Sequence, residues 1–192
     1  MVERLPNYTI KDDVIVIDEY LGYGNSVLQI MTYCEPNFLK GCVINGKLSF
    51  LCLRSCHKNF LKDTVINGSL CFKSLDSCES GFLDHTEVKG SIMLPMLKSC
   101  GRNFLKNRII DGNLNLDSLR TYYRSFLSGT TINWTLNIES LEIKDIDFLS
   151  KTTVNCNIVV KNCSADFVDN LKKRHCRICG DNFCKVINLK YR

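Results

Sequence analysis

Cysteine is the residue type with the most chemical potential in this chain, and its spacing is regular. Cys34, Cys56, Cys78 and Cys100 stand 22 residues apart. Four aligned thiols could line a metal track or a redox relay, or simply fill a core. Stacked β-layers lie about 5 Å apart while zinc sits ~2.3 Å from sulfur, so cysteines in successive layers do not easily share one tetrahedral ion. Free cysteine otherwise behaves as a small, readily buried hydrophobe, and core packing is the reading taken here. A second group is sharper. In RHCRICGDNFC, Cys176 and Cys179 form C-x-x-C followed by Gly180, with Cys184 beyond and Cys163 or His175 as further ligands. Two thiolates at this spacing can turn toward one ion where glycine allows a tight bend, so the expected cofactor is none or one structural zinc.

Other reactive residue types do not assemble into a catalytic motif. The histidines are His57, His85 and His175; outside the C-terminal cysteine group that includes His175, neither His57 nor His85 belongs to a recognisable nucleophile or metal motif, and neither a glycine-rich phosphate loop nor H-E-x-x-H occurs. Asp117 and Glu139 stand one period apart and would stack as a carboxylate pair, but adjacent acids more often form an ordinary exposed face. The expectation is a protein that is not an enzyme.

What must position these residues is a repeat. Phe38, Phe60, Phe82, Phe104, Phe126 and Phe148 are each 22 residues apart, as are Leu48, Leu70, Ile92, Leu114, Leu136 and Ile158. A fixed period in the twenties marks a solenoid, whose units bury their apolar faces by stacking on their neighbours. Gly24, Gly46, Gly68, Gly90 and Gly112 mark successive units. Ile44, Gly46, Leu48 and Phe50 share one parity, which predicts a strand with a glycine on its inner face, where another backbone approaches closely. Leu53, Cys56, Phe60 and Leu61 then stand at i, i+3, i+7 and i+8, the spacing of one helix face. The predicted fold class is α/β: about seven 22-residue strand-plus-helix units with a parallel sheet.

In this arrangement, with strand motifs such as LSF, LCF, IML and LNL followed three residues on by an apolar residue, the chain resembles the leucine-rich-repeat superfamily. The resemblance is architectural and covers roughly residues 12 to 163. It implies a strand backed by a helix or 3₁₀ segment, although Leu53, Leu75, Leu97 and Leu119 stand where that family places Asn or Cys. A right-handed parallel β-helix is the alternative, since short apolar runs do not separate helix from strand.

The boundaries expected are an extension at 1–11, the solenoid at 12–163 and a basic, cysteine-containing cap at 164–192. Ser164 is placed as N-cap of a closing helix that buries Phe167, Val168 and Leu171. Lys172, Lys173, Arg174 and Arg177 make this end basic within a chain of net charge +5. Tyr122 replaces a ladder cysteine and Trp134 a glycine, and both are expected to fill a widened core. No apolar run approaches the roughly 20 residues that span a bilayer, and the cysteines read as reduced, so no membrane partner and a cytoplasmic, reducing location are expected.

Outward positions of consecutive strands differ from layer to layer while the interior repeats, which suits recognition. The expected function is a non-catalytic protein-binding module whose contacts are Lys47, Leu51, Lys73, Met93, Asn115, Asp117, Asn137 and Glu139. The alternative is nucleic-acid binding through Arg120, Arg124, Lys172, Lys173, Arg174 and Arg177, helped by nearby aromatics.

Overall fold

The computed structural model describes residues 8–11, 14–18, 30–123, 125–142, 149, 151–161, 163–179 and 185–189. The described strands are β1 (Tyr8–Lys11), β2 (Val14–Asp18), β3 (Val43–Asn45), β4 (Leu48–Phe50), β5 (Ser55–Cys56), β6 (Val65–Ile66), β7 (Leu70–Phe72), β8 (Ser77–Cys78), β9 (Glu87–Val88) and β10 (Ile92–Met93). They continue with β11 (Ile109–Ile110), β12 (Leu114–Asn115), β13 (Thr131–Ile132), β14 (Leu136–Asn137), β15 (Thr153–Val154) and β16 (Asn157–Lys161), followed by helix α1 (Ala165–Cys179) and β17 (Lys185–Leu189).

From β3 to β16 each strand pairs not with its sequence neighbour but with the strand one turn away, while β1–β2, β2–β3 and β16–β17 join consecutive strands at the two ends. The first face is an eight-stranded sheet in the order β1-β2-β3-β6-β9-β11-β13-β15, and the second a seven-stranded sheet, β17-β16-β14-β12-β10-β7-β4. The third face holds the pair β5-β8, prolonged by the bridges Ser77↔Ser99 and Ser99↔Thr121. Pairing is parallel except between β1 and β2, and registers such as Leu48↔Leu70 and Ile92↔Leu114 keep the 22-residue period. The chain is a parallel β-helix.

This corrects the expected α/β solenoid of strand-plus-helix units, and the leucine-rich-repeat-like unit with it. Leu53, Cys56, Phe60 and Leu61 are all buried, as one helix face would require, but Cys56 lies in β5 and Phe60 and Leu61 in the turn that follows. That turn cannot be helical. Asn59, Leu61 and Asp63 have φ of 62°, 58° and 59°, so alternate residues are left-handed. A left-handed leucine recurs at Leu39, Leu83, Leu105, Leu127 and Leu149. A buried β-carbon in this region costs roughly 1–2 kcal/mol, which the surrounding packing must offset.

The packing is a set of columns running through the layers. Ile44, Ile66, Val88, Ile110, Ile132 and Val154 form one, and Phe50, Phe72, Leu94, Leu116, Ile138 and Val160 another, all buried. Along the turn, Phe38, Phe60, Phe82, Phe104 and Phe126 stack with centroids 5.8 to 6.0 Å apart. Phe72 meets Phe60 and Phe82 edge-on at 6.1 and 5.6 Å, so the second sheet locks into the turn. Each such side chain contributes roughly 1.5–3 kcal/mol by leaving water. The turn's inward carbonyls are satisfied as well. Thr64 Oγ1 donates to Leu39 O at 2.5 Å, Thr86 to Leu61 O at 2.5 Å and Thr152 to Leu127 O at 2.8 Å, with Thr130 bonding Leu105 O in the same way.

The glycine column lies at the corner between the first two faces rather than inside a strand. The close approach expected of it is present: a β-carbon on Gly68 would stand 2.4 Å from Gly46 O. Trp134 occupies the same column and, contrary to expectation, is 59% exposed rather than in the core. Tyr122 does pack against the core, with its ring 5.9 Å from Phe126.

At the C-terminal end α1 lies over β15 and β17. Ser164 caps it, accepting a hydrogen bond from Phe167 N at 3.3 Å, and Val168 and Leu171 are buried. Asn188 of β17 is tied to Cys163, accepting from its N at 3.2 Å and donating to its O at 2.9 Å. The closing helix is therefore present and runs through Cys179. At the other end β1 falls within residues 1–11, the stretch expected to precede the solenoid.

Candidate recognition faces

The outward side of the second sheet was expected to carry recognition, and the strand parity that places it there holds. Leu48 and Phe50 point inward, which leaves the residue between them outward. The face is less open than that parity implies: Ser49 and Cys71 are only 5% and 7% exposed. Its first column is also occupied in holding layers together, because Ser69 Oγ accepts from Ser91 N at 3.1 Å, Ser91 Oγ from Asn113 N at 3.0 Å and Asn113 Oδ1 from Thr135 N at 3.0 Å. Lys47 and Lys73 are exposed, and Leu51 and Met93 are half-buried.

The polar end of this face is a compact square. Asn115 and Asn137 are register partners, and Asp117 and Glu139 follow each by two residues. Asp117 N donates to Asn115 Oδ1 at 3.1 Å, and Asn137 Nδ2 donates to Glu139 Oε1 at 3.1 Å. Asp117 Oδ1 and Asn137 Oδ1 are buried atoms without a hydrogen-bond partner among the described residues. Lost solvation raises the Asp117 pKa above its ordinary value, a hydrogen bond with Asn115 opposes the shift, and the Glu139 charge adds to it.

The third face was not foreseen. Small residues line it, Ser55, Ser77, Ser99 and Thr121, in the return leg whose apolar spacing predicts a helix. An open groove of about 560 Å³ runs over this surface, lined by Lys58, Glu79, Ser80, Ser99, Gly101, Thr121 and Tyr123 among others. Below it lies the cysteine ladder, buried as expected. Burial pushes the Cys78 thiol up to about 12, and the Cys56 and Cys100 thiols rise for the same reason, so these sulfurs stay protonated and inert at neutral pH.

The remaining site residues are dispersed. Arg120 is exposed beside the groove, whereas Lys172 and Lys173 are exposed on α1, Lys172 standing 3.5 Å from Asp169. Arg124 and Cys184 lie outside the described residues, as do the side chains of Arg174, His175, Cys176, Arg177 and Cys179, whose backbone belongs to α1. Cys163 is half-buried next to Asn188. The zinc expectation thus falls on side chains outside those described, and among the described residues no group of three or more potential ligands could hold a metal. No described helix is long and apolar enough to cross a membrane.

Compared with protein-family models, with curated proteins and with solved structures, the chain matches none.

Proposed function

We propose that the protein is a non-catalytic protein-binding module that uses the outward side of the second sheet. The observation that carries this reading is the pair of unsatisfied acceptors, Asp117 Oδ1 and Asn137 Oδ1, within the square completed by Asn115 and Glu139. Orphaned buried acceptors cost about 1–3 kcal/mol each, and because Asp117 and Asn137 are themselves only half-buried, a side-chain rotation that brings these oxygens to the surface to meet a partner's donor relieves that cost. The matching donor is a cation or amide of the partner. Half-buried Leu51 and Met93 supply apolar contact on the same face, flanked by Lys47 and Lys73. None of these side chains closes the interior columns, so varying them leaves the packing between layers in place.

Substituting Lys47, Leu51, Lys73 and Met93 together tests the assignment. The expected result is loss of the partner that the unaltered protein retains on an affinity column, with an unchanged melting temperature. Undiminished retention would remove this face from consideration.

A further inference from the structure

We propose that the groove on the third face binds single-stranded nucleic acid, a site separate from the protein-binding face. Its shape comes from what its residues lack. A β-carbon on Gly101 would stand 2.3 Å from Ser80 N and 2.5 Å from the Glu79 carbonyl carbon, so the centre of the groove cannot carry a side chain there without moving the layer beneath. Hydroxyls of Ser99 and Thr121 line the groove, whose volume is about 560 Å³.

Cations stand along both sides. Lys98 and Arg120 are exposed in consecutive layers of one column, with Arg120 N donating to Lys98 O at 3.0 Å, and Lys58 and Arg102 are exposed in the column on the other side. Layers stack at about 4.8 Å, so the cations are spread along the solenoid axis and meet an extended chain of phosphates better than one compact anion. Glu79 is the acid in the lining; it faces His57, with Nδ1 4.0 Å from Oε1, away from the Thr121 end.

At that end Tyr123 is 51% exposed with the Arg102 guanidinium 5.9 Å from its ring centroid. An exposed ring steadied by a cation is a stacking platform for an unpaired base, and a duplex hides that surface. A protein strand is the poorer fit. The backbone here already bonds from layer to layer, as in Asp76 N to Arg54 O at 2.9 Å and Lys98 N to Asp76 O at 2.8 Å, so it offers no open sheet edge to extend.

The test is fluorescence anisotropy of labelled oligothymidylate, of a DNA duplex and of heparin with the full chain at low ionic strength. The single strand should bind with Kd of ~1–100 µM and weaken with salt. Tyr123→Ala should weaken it about tenfold, and Tyr123→Phe, which keeps the ring, should restore it. Arg102→Ala with Arg120→Ala should flatten the slope of log K against log salt by about 1.4. Thr121→Glu, an exposed substitution that places a negative charge in the groove, should abolish binding. Lys172→Ala with Lys173→Ala should change little. Absence of binding, indifference to Tyr123→Ala, equal or tighter binding of the duplex or heparin, or loss confined to the α1 pair would each overturn the proposal. Asp117→Asn should leave oligothymidylate binding intact, so this site and the protein-binding face fail separately.

Discussion

The first two faces and the third are built from the same 22-residue unit and end differently. On the first face the register runs unbroken from Val43↔Val65 to Ile132↔Val154, and on the second from Leu48↔Leu70 to Ile158↔Val186. The third face forms one strand pair, Ser55↔Ser77 with Cys56↔Cys78, then isolated bridges as far as Thr121. What differs is the inner column behind each. Branched aliphatics and phenylalanine continue to Val154 and Val160, whereas the column behind the third face is cysteine until Tyr122 replaces it. A small thiol supplies little apolar area, so layers on that side are held less firmly. Long strand registers accompany the columns of large side chains, and the groove lies over the cysteine column and the Tyr122 that ends it.

The widest separation between the faces should come from truncating their inner columns. Phe72→Ala removes a fully buried ring that stacks on Phe50 at 4.8 Å, at a cost of about 3–5 kcal/mol. Cys78→Ala removes one sulfur behind the third face and should cost roughly 1 kcal/mol. Urea denaturation of both measures the difference, and equal losses would mean that the third face is as tightly packed as the second.

A smaller and sharper contrast uses the two crowded glycines. On bare geometry Gly68→Ala and Gly101→Ala meet similar overlaps, at 2.4 and 2.3 Å. The layers at Gly68 are fixed by sheets on both sides of the corner, so that substitution should cost ~2–3 kcal/mol, while at Gly101 the overlapped atoms are also backbone but bridges rather than strands hold the layer, so Gly101→Ala should cost ~1–2 kcal/mol. Thermal unfolding of each decides it, and a reversed order would contradict the packing difference.

These contrasts also show how much of the molecule is legible in the residue order. The period, the parity of the second sheet and the Ser164-capped helix follow from apolar spacing and capping chemistry, because large side chains can stack only in register. The return leg misleads because Leu53, Cys56, Phe60 and Leu61 have helical spacing although they enter the core from a corner, a strand and a turn. Asn37, Asn59, Gly81 and Asn103 flank one side of the Phe-Leu pair, and Gly41, Asp63, His85, Asn107 and Gly129 the other. These types favour left-handed backbone, and their columns mark a turn instead of a helix. The groove left no apolar trace, since Ser55, Ser77, Ser99 and Thr121 read as ordinary solvated positions. For Trp134 the exposed placement has no signal in the sequence.

The smallest expected effect bears most directly on the division of labour between an interior that holds the fold and an outward face that recognises. Asp117 has its folded pKa raised, so the stability tied to its protonated form is complete below the ordinary carboxylate value near 4 and is lost as pH rises through the raised one. Asp117→Asn removes that loss. Its melting temperature at neutral pH should equal or exceed that of the unaltered protein by ~1 °C, with the difference vanishing in acid, while affinity for the retained protein partner falls about tenfold as the charged acceptor is lost. Melting temperature and partner affinity of this one variant, measured side by side at neutral pH, test the account. A lowered melting temperature with unchanged affinity would contradict it.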